Sequence, residues 1–557
     1  MSADRYRETY EAFRWRVPAD FNLTDWTCRR WAGTDGERLA LLWEDESGET
    51  RRLSYGELMA AANRMSNALT HLGVARGDRV AILLPQRPET VIAYLAIYQL
   101  GAIAVPMSYL FGSDALEYRL ADSDSRVAIV DPATLERLWP VRERLPRLAH
   151  VIGVAGAKEV GVLDWEALAA KASPEFAPAR TAASDPSTII YTSGTTGPPK
   201  GALIPHAALI GNLSGFECSH DGFPQPGDIF WSPADWAWTG GLWDALMPTL
   251  YHGHAILGFR GRFDAERAFA LMEKYAIRNA FLVPTALKMM MKAVPKPRAR
   301  YTLKLRSLMS AGESVAPGLV HWARDELGVT VNEMFGQTEM NYIVGNSHAL
   351  WPVKPGSMGR PYPGHRITVI DEEGREVARG EPGDIAVNRQ WIDGTPDPVF
   401  FLGYWRNEAA TAKKYSGDWC RTGDEATMDA EGYLWYRGRS DDVFKVSGYR
   451  VGPSEIENCL VRHKAVANAA VVPLPDETRG AVVKAFIVLT PGERPSEALK
   501  DSIRAHVKAL LAPYQQPREI EFVPELPMTT TGKVQRKVLR EREAQRLGST
   551  DGVKASQ

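Results

Sequence analysis

The segment STIIYTSGTTGPPKGALIPH sets an apolar strand directly before Tyr191 to Gly201, a loop of small hydroxylated residues, glycines and one lysine. Those residue types suit a polyphosphate. Gly194 and Gly197 let the backbone come close and turn its N–H groups inward, the hydroxyls of Thr192, Ser193, Thr195 and Thr196 add donors, and Lys200 supplies positive charge. Pro198 and Pro199 stiffen the exit. It is not a Walker A loop, because Lys200 is followed by Gly201 rather than Ser or Thr and the glycine spacing differs. Polar loops of Gly, Ser and Thr are common on protein surfaces, but the ordered combination of strand, hydroxyls, two glycines and lysine favours phosphate chemistry.

YTSGTTGPPKG resembles the signature of the adenylate-forming superfamily of acyl-CoA synthetases, adenylation domains and luciferases, and further matches follow in the family's order from roughly residue 20 to 542. Within it, the likeness runs to the short- and medium-chain acyl-CoA synthetases. The resemblance implies ATP, Mg²⁺ and coenzyme A, and a reaction in which a small carboxylic acid becomes an acyl-adenylate and then a thioester. Phe335-Gly336-Gln337-Thr338-Glu339 resembles the family's aromatic-Gly-x-Thr-Glu motif, which would put Thr338 on the α-phosphate, Glu339 on the metal and Phe335 against adenine. Such an acid is needed, since Mg²⁺ prefers one or two carboxylates plus phosphate oxygens. Arg421-Thr422-Gly423-Asp424 resembles the ribose motif, with Arg439 of GRSDD as its second contact; a carboxylate facing a vicinal diol accepts two hydrogen bonds at once. Gly312, Glu313 and Glu333 resemble the adenine-side segments. Taken singly, each of these residues reads as readily as a core aromatic, a turn acid or a surface charge; their order along the chain weakens that reading.

Attack of a carboxylate on a phosphate brings anions together, so a positioned cation is required beyond the metal. PMTTTGKVQRKVLR resembles the C-terminal motif in which Lys533 bridges the acyl oxygen and phosphate; by charge alone it is a solvated basic helix start. Thiol attack then requires that lysine to withdraw, and Asp441 resembles the family hinge. Ser447-Gly448-Tyr449-Arg450 resembles the loop that lines the pantetheine tunnel, where a Cβ at Gly448 would narrow the channel. Arg450 is a candidate for the phosphate or carboxylate, and Arg479 and Arg518 for the phosphates of coenzyme A. The resemblance also suggests a lysine acyltransferase acting on Lys533 as an off switch, and leaves a homo-oligomer open.

For the acid, acetate- and propionate-using relatives carry a Trp where this chain has Gly336. Removing an indole is expected to leave room for several carbons, and at about 0.8 kcal/mol per buried methylene four of them would favour a longer acid by roughly a hundredfold. The expectation is a medium-chain, branched or aryl acid. Trp236 and Trp238 resemble another wall of that pocket and Met340 follows the metal-site acid; with sixteen tryptophans in the chain, the pair reads equally as core.

The elements that must position these residues follow from pattern. At 557 residues, at least two domains are expected. Net charge −2 and 24% charged residues argue against nucleic acid as a partner. Four cysteines far apart, without CxxC or His clusters, suggest neither disulfides nor zinc and fit a cytoplasmic setting. The N-terminus mixes both charge signs and does not read as a secretory signal. Thr90 to Ser113 lacks charge, but Gly101 and Pro106 interrupt it and the flanking strands make buried core the expectation over a membrane span. The fold class expected is α/β: a large domain, 1–440, of mainly parallel sheets with an antiparallel β subregion from about 364, and a small mobile α+β domain, 441–557, hinged near Asp441. Ser454 and Glu457 look like a capping box after Pro453, Leu499, Ile503, Val507 and Leu510 like one helix face, and the tail after about 543 like disorder. Two rivals stand beside the ligase: an adenylation enzyme loading a carrier protein, for which about two dozen residues after Lys533 leave no attached carrier, and a nucleotide-binding regulator without catalysis, which would have no use for Lys533.

Overall fold

The uncharged stretch from Thr90 onward is a helix, Pro88–Gln99, in which every residue is buried, followed by a turn at Gly101 with φ +66° and the strand Ile103–Pro106. Pro88 starts it, where a missing N–H costs nothing. A helix apolar all round must be covered on all sides, and the βαβ unit provides the cover: Ile103–Pro106 runs parallel to Arg79–Leu83. Among the described residues no helix is long and apolar enough to cross a membrane. The computed structural model describes residues 4–554 apart from 193–197, 441, 443, 447–448, 477–479 and 530–533, and the backbone alone for 445, 449, 450, 480 and 547–554.

The chain divides into two compact units, Met1–Ile367 with Val387–Cys420, and Thr368–Ala386 with Arg421–Gln557. The division expected at 441 falls inside the second. The first unit holds an eight-stranded and a nine-stranded sheet, mainly parallel, with antiparallel pairs only toward the edges. Its strands include Pro186–Thr192, Asn279–Phe281 and Ser307–Ala311, on the apolar runs STIIYTS, NAFLVP and SLMSAGE, and also Val331–Gln337. Ser307–Ala311 lies between Asn279–Phe281 and Val331–Gln337, parallel to both, so the loops after these strands open on one side of the sheet.

In the second unit the strands Trp419–Met428 and Leu434–Arg439 pair antiparallel across a turn at Asp429 to Gly432. Farther on, Val466–Asp476, Gly480–Leu489 and Glu519–Phe522 form a three-stranded sheet, the first pair antiparallel and the second parallel. Three expectations for this unit need correction. Pro453 is the first helical residue of Pro453–Leu460, so Gly452 is the N-cap and no capping box forms; Glu457 accepts instead from Arg536 and from Val471 N. On the helix Glu497–Leu510, Ile503 and Val507 are buried but Leu510, its last residue, is 52% exposed, because the chain turns off before the face is covered. The tail expected to be disordered is helical, Arg536–Lys554, pinned by the buried Lys484 ammonium 2.9 Å from Glu543.

Candidate active site

Strand Pro186–Thr192 pairs antiparallel with Lys200–Pro205, which sets Thr192 opposite Lys200. Thr192 Oγ1 donates to Lys200 O at 3.4 Å. Ser193, Gly194, Thr195, Thr196 and Gly197 lie outside the described residues. Beside that strand pair, Gly403–Tyr404 adds a short strand, with Tyr404 opposite Ala202. This places the Lys200 Nζ 4.7 Å from the centroid of the Tyr404 ring, while the Tyr404 hydroxyl donates to Glu339 Oε1. One aromatic side chain therefore holds the Lys200 ammonium on its face and the Glu339 carboxylate on its hydroxyl. Sequence reading passed over Tyr404: it sits in a short irregular stretch, GYW, with no periodicity to mark it.

Glu339 is 8% exposed. It and Thr338 form the two-residue turn between Val331–Gln337 and Met340–Gly345, where Gln337 pairs with Met340, so both side chains project from a hairpin tip. Thr338 Oγ1 lies 2.9 Å from Thr239 Oγ1, and Gln337 accepts from Lys414 Nζ at 3.2 Å. Met340 is fully buried and bridges Phe400, and Phe401 N donates to Glu339 O at 2.9 Å, fixing the turn from behind. Among the described residues no group of three His, Cys, Asp or Glu could hold a metal by itself. A single carboxylate completed by phosphate oxygens and water is nevertheless the donor set Mg²⁺ accepts when it arrives with a nucleotide.

Glu333 lies one strand position from Met334, paired beside Ser310 and Ala311, and Gly312 follows them with φ +92°. Burial pushes the Glu333 carboxyl up to about 8, against the Val315 N–H that stabilises its charge. Glu313 accepts from Thr285 Oγ1 at 2.9 Å, and Phe335 is half-buried on the same strand as Glu333. These residues gather at the carboxyl ends of adjacent parallel strands.

The tryptophan pair divides. Trp236 is buried, with its carbonyl accepting from Tyr94 OH at 2.7 Å and its ring tip so near Gly258 that a Cβ there would sit 2.8 Å away. Trp238 is half-buried and packs edge-on against Phe111 at 5.6 Å. The room expected at Gly336 is not open: a Cβ on it would meet Asn341 Oδ1 at 2.6 Å and Tyr342 N at 2.7 Å. The register shifts between Phe335 and Gln337, and that bulge folds the following strand over the glycine.

In the second unit Asp424 and Arg439 face each other across the antiparallel pair. Asp424 is 4% exposed; Tyr436 OH donates to Oδ1 at 3.2 Å and Arg439 Nη1 to Oδ2 at 3.4 Å. Thr422 Oγ1 accepts from Asp424 N at 3.1 Å. Asp441, Ser447, Gly448, Arg479 and Lys533 fall outside the described residues. Their flanks are placed: Tyr449 and Arg450 belong to the strand Tyr449–Val451, paired with Phe444–Val446, and Arg518 is exposed with its N–H donating to Val483 O at 2.8 Å. Asp442 accepts from Arg536 at 3.1 Å and from Arg540, and Arg536 also binds Glu457.

The hairpin at Lys200, the Glu339 turn and the Asp424–Arg439 pair are the features that the resemblance leads one to expect of an AMP-binding enzyme. The chain belongs to that family, matching the AMP-binding enzyme profile over residues 28–405 and the AMP-binding enzyme C-terminal domain over 455–533. Within it the chain falls with the AMP-forming acyl-CoA ligases. Acyl-CoA ligase YtcI of Bacillus subtilis (strain 168), itself uncharacterized, is 36% identical over 511 residues, covering 92% of this chain and 94% of that protein. The acetyl-coenzyme A synthetase of the same organism is 34% identical over 551 residues, with 96% and 94% covered. Among solved structures, the anthranilate CoA ligase AuaEII in complex with anthranoyl-AMP superposes with a TM-score of 0.84 at 31% identity, covering 95% of this chain and 98% of that one.

Proposed function

We propose that the protein joins a carboxylic acid to coenzyme A in two steps: the carboxylate oxygen displaces pyrophosphate from the α-phosphorus of ATP, and the thiol of coenzyme A then displaces AMP from the acyl carbon. The observation that carries this reading is the Lys200–Tyr404–Glu339 arrangement, which sets a cation and a carboxylate on one rigid ring beside a phosphate-type hairpin. Mg²⁺, when bound, would offset the charge of the phosphates. Glu339 would hold it; Thr338 would orient the α-phosphate; Asp424, kept in place by Tyr436 and Arg439, would accept both ribose hydroxyls. Glu333, Phe335 and the Gly312–Glu313 turn would flank adenine.

In the same reading, 1–440 bind ATP and acid, while 441–557 rotate about Asp441, bringing Lys533 to the first step and the loop through Ser447, Gly448 and Tyr449 to the second, with Arg479 and Arg518 toward the coenzyme A phosphates. The acid is medium-chain, branched or aryl. Support comes from the likeness to a ligase holding an aryl adenylate, against the likeness to an acetyl-coenzyme A synthetase and without help from Gly336, whose space Asn341 and Tyr342 occupy. A cytoplasmic setting agrees with four buried free cysteines. The test is a panel of acids with ATP, Mg²⁺ and coenzyme A, scored for AMP and thioester. AMP with a thioester is the expected result, and turnover of hexanoate or 2-methylbutyrate should exceed that of acetate. Formation of ADP, or of no nucleotide product with any acid, would overturn the reading.

A further inference from the structure

Behind the contact between Thr239 and Thr338 lies a pair of buried polar side chains that the catalytic scheme leaves unused. Asp244 stands on the helical turn Leu242–Leu246 and Asn341 on the strand Met340–Gly345; they are 4% and 6% exposed. Asn341 Nδ2 donates to Asp244 Oδ1, while the hydroxyl of Tyr342 donates at 3.3 Å to the Asp244 backbone carbonyl and leaves the carboxyl alone. Burial holds the Asp244 carboxyl well above the usual carboxylate range, against the Asn341 bond, which favours its O–H form. Among the described residues, Asp244 Oδ2 and Asn341 Oδ1 have no hydrogen-bond partner.

Each of those two oxygens lies toward a glycine. A Cβ on Gly240 would sit 3.9 Å from Asp244 Oδ2, and one on Gly336 would sit 2.6 Å from Asn341 Oδ1. Gly240 adjoins Thr239, and Gly336 is two residues before Thr338, so both glycines belong to the segments bracketing the Thr239–Thr338 contact. Neither position offers a side chain to cover the pair. Each oxygen keeps a hydrogen bond it can still make, which an apolar pair of the same shape would not offer. Such a pair is worth keeping where something else completes it.

We propose that Asp244 and Asn341 are specificity-determining residues that read a hydroxyl or aromatic amino group on the acid. A neutral carboxyl donates and an amide oxygen accepts, which together match a group able to accept and donate. The inference rests on the ligase reading above and narrows its acid to a hydroxylated or amino-substituted member of the medium-chain or aryl class.

The experiment compares kcat/KM for matched acids with ATP, Mg²⁺ and coenzyme A: hexanoate against its 3- to 6-hydroxy derivatives, and benzoate against its hydroxy and amino derivatives. In the wild-type protein at least one substituted acid should exceed its parent by about a hundredfold, because a site built around hydrogen bonds rejects the analogue that cannot make them. Asp244→Leu should cut that ratio to within a fewfold of unity while turnover of the parent acid holds or rises, and Asp244→Asn should keep part of it. A merely structural pair would lower both acids together and leave the ratio unchanged. Preference of the wild type for every parent acid, or an unchanged ratio in folded Asp244→Leu, would overturn the inference while the ligase reading stood. If Asp244→Leu does not fold by circular dichroism, the wild-type ratio decides. Release of AMP with none of the acids would bring down the ligase reading and this one with it.

Discussion

Tyr404 joins two charges that lie far apart along the chain, Lys200 and Glu339, and its two contacts can be separated by mutation. Tyr404→Phe keeps the ring under Lys200 and removes the hydrogen bond to Glu339. A hydrogen bond to a charged group contributes about 1.5–3 kcal/mol, so acid-dependent AMP release should fall about ten- to a hundredfold, with the apparent affinity for Mg²⁺ weakened. Unchanged Mg²⁺ dependence would remove Tyr404 from the site. Glu333 makes a different prediction. Its carboxyl titrates at about 8 in the folded protein against an ordinary 4.5. Between those values the folded state holds a proton that the unfolded chain has lost, so stability falls as pH rises across that window. Glu333→Gln removes the dependence: melting temperatures of the two proteins should agree near pH 4.5, and the variant should melt higher at pH 8.

At the scale of elements, the helix Arg536–Lys554 begins three residues after Lys533 and is held at its first turn. Arg536 binds Glu457 through Nε at 2.9 Å and Asp442 at 3.1 Å, with 17% of its side chain exposed. Burial works against the charge of Arg536, but Glu457 and Asp442 outweigh it and hold the guanidinium above its usual range. Arg536→Met would leave Glu457 with little solvent and no cation, while Asp442 keeps Arg540, a loss of about 3 kcal/mol. Thermal unfolding should report it as an earlier transition, and salt should recover little of it, unlike an exposed pair. Most elements here were legible, because apolar runs bounded by turn residues are local signals: the strands Arg79–Leu83, Pro186–Thr192 and Ser307–Ala311 lie on the runs VAILLP, STIIYTS and SLMSAGE. The capping box at Ser454 was not, because Pro453 takes the first helical position and Glu457 is drawn to Arg536, a partner 79 residues away.

At the scale of the molecule, the two steps of the proposed reaction ask for opposite things: a cation at the phosphate, then an open path for a thiol. Lys533→Ala should lower adenylate formation by about two to three orders of magnitude, the usual loss for one charge-stabilising group. Thioester formation from supplied acyl-adenylate should stay nearly intact. Equal damage to both half-reactions, measured separately, would deny Lys533 that division of labour.

By itself the sequence determined the class of fold and the chemistry: the strand before Tyr191, the loop with Lys200, the Thr338-Glu339 turn and Asp424 are each short and local, and local order survives reading along a line. Tertiary structure alone decided what surrounds them. That Tyr404 stands between Lys200 and Glu339, that Trp236 turns to Gly258, and that Asn341 fills the space over Gly336 depend on register and on a bulge. A one-residue shift in strand pairing reverses which face a side chain takes, and nothing in a residue's near neighbours along the chain sets that shift.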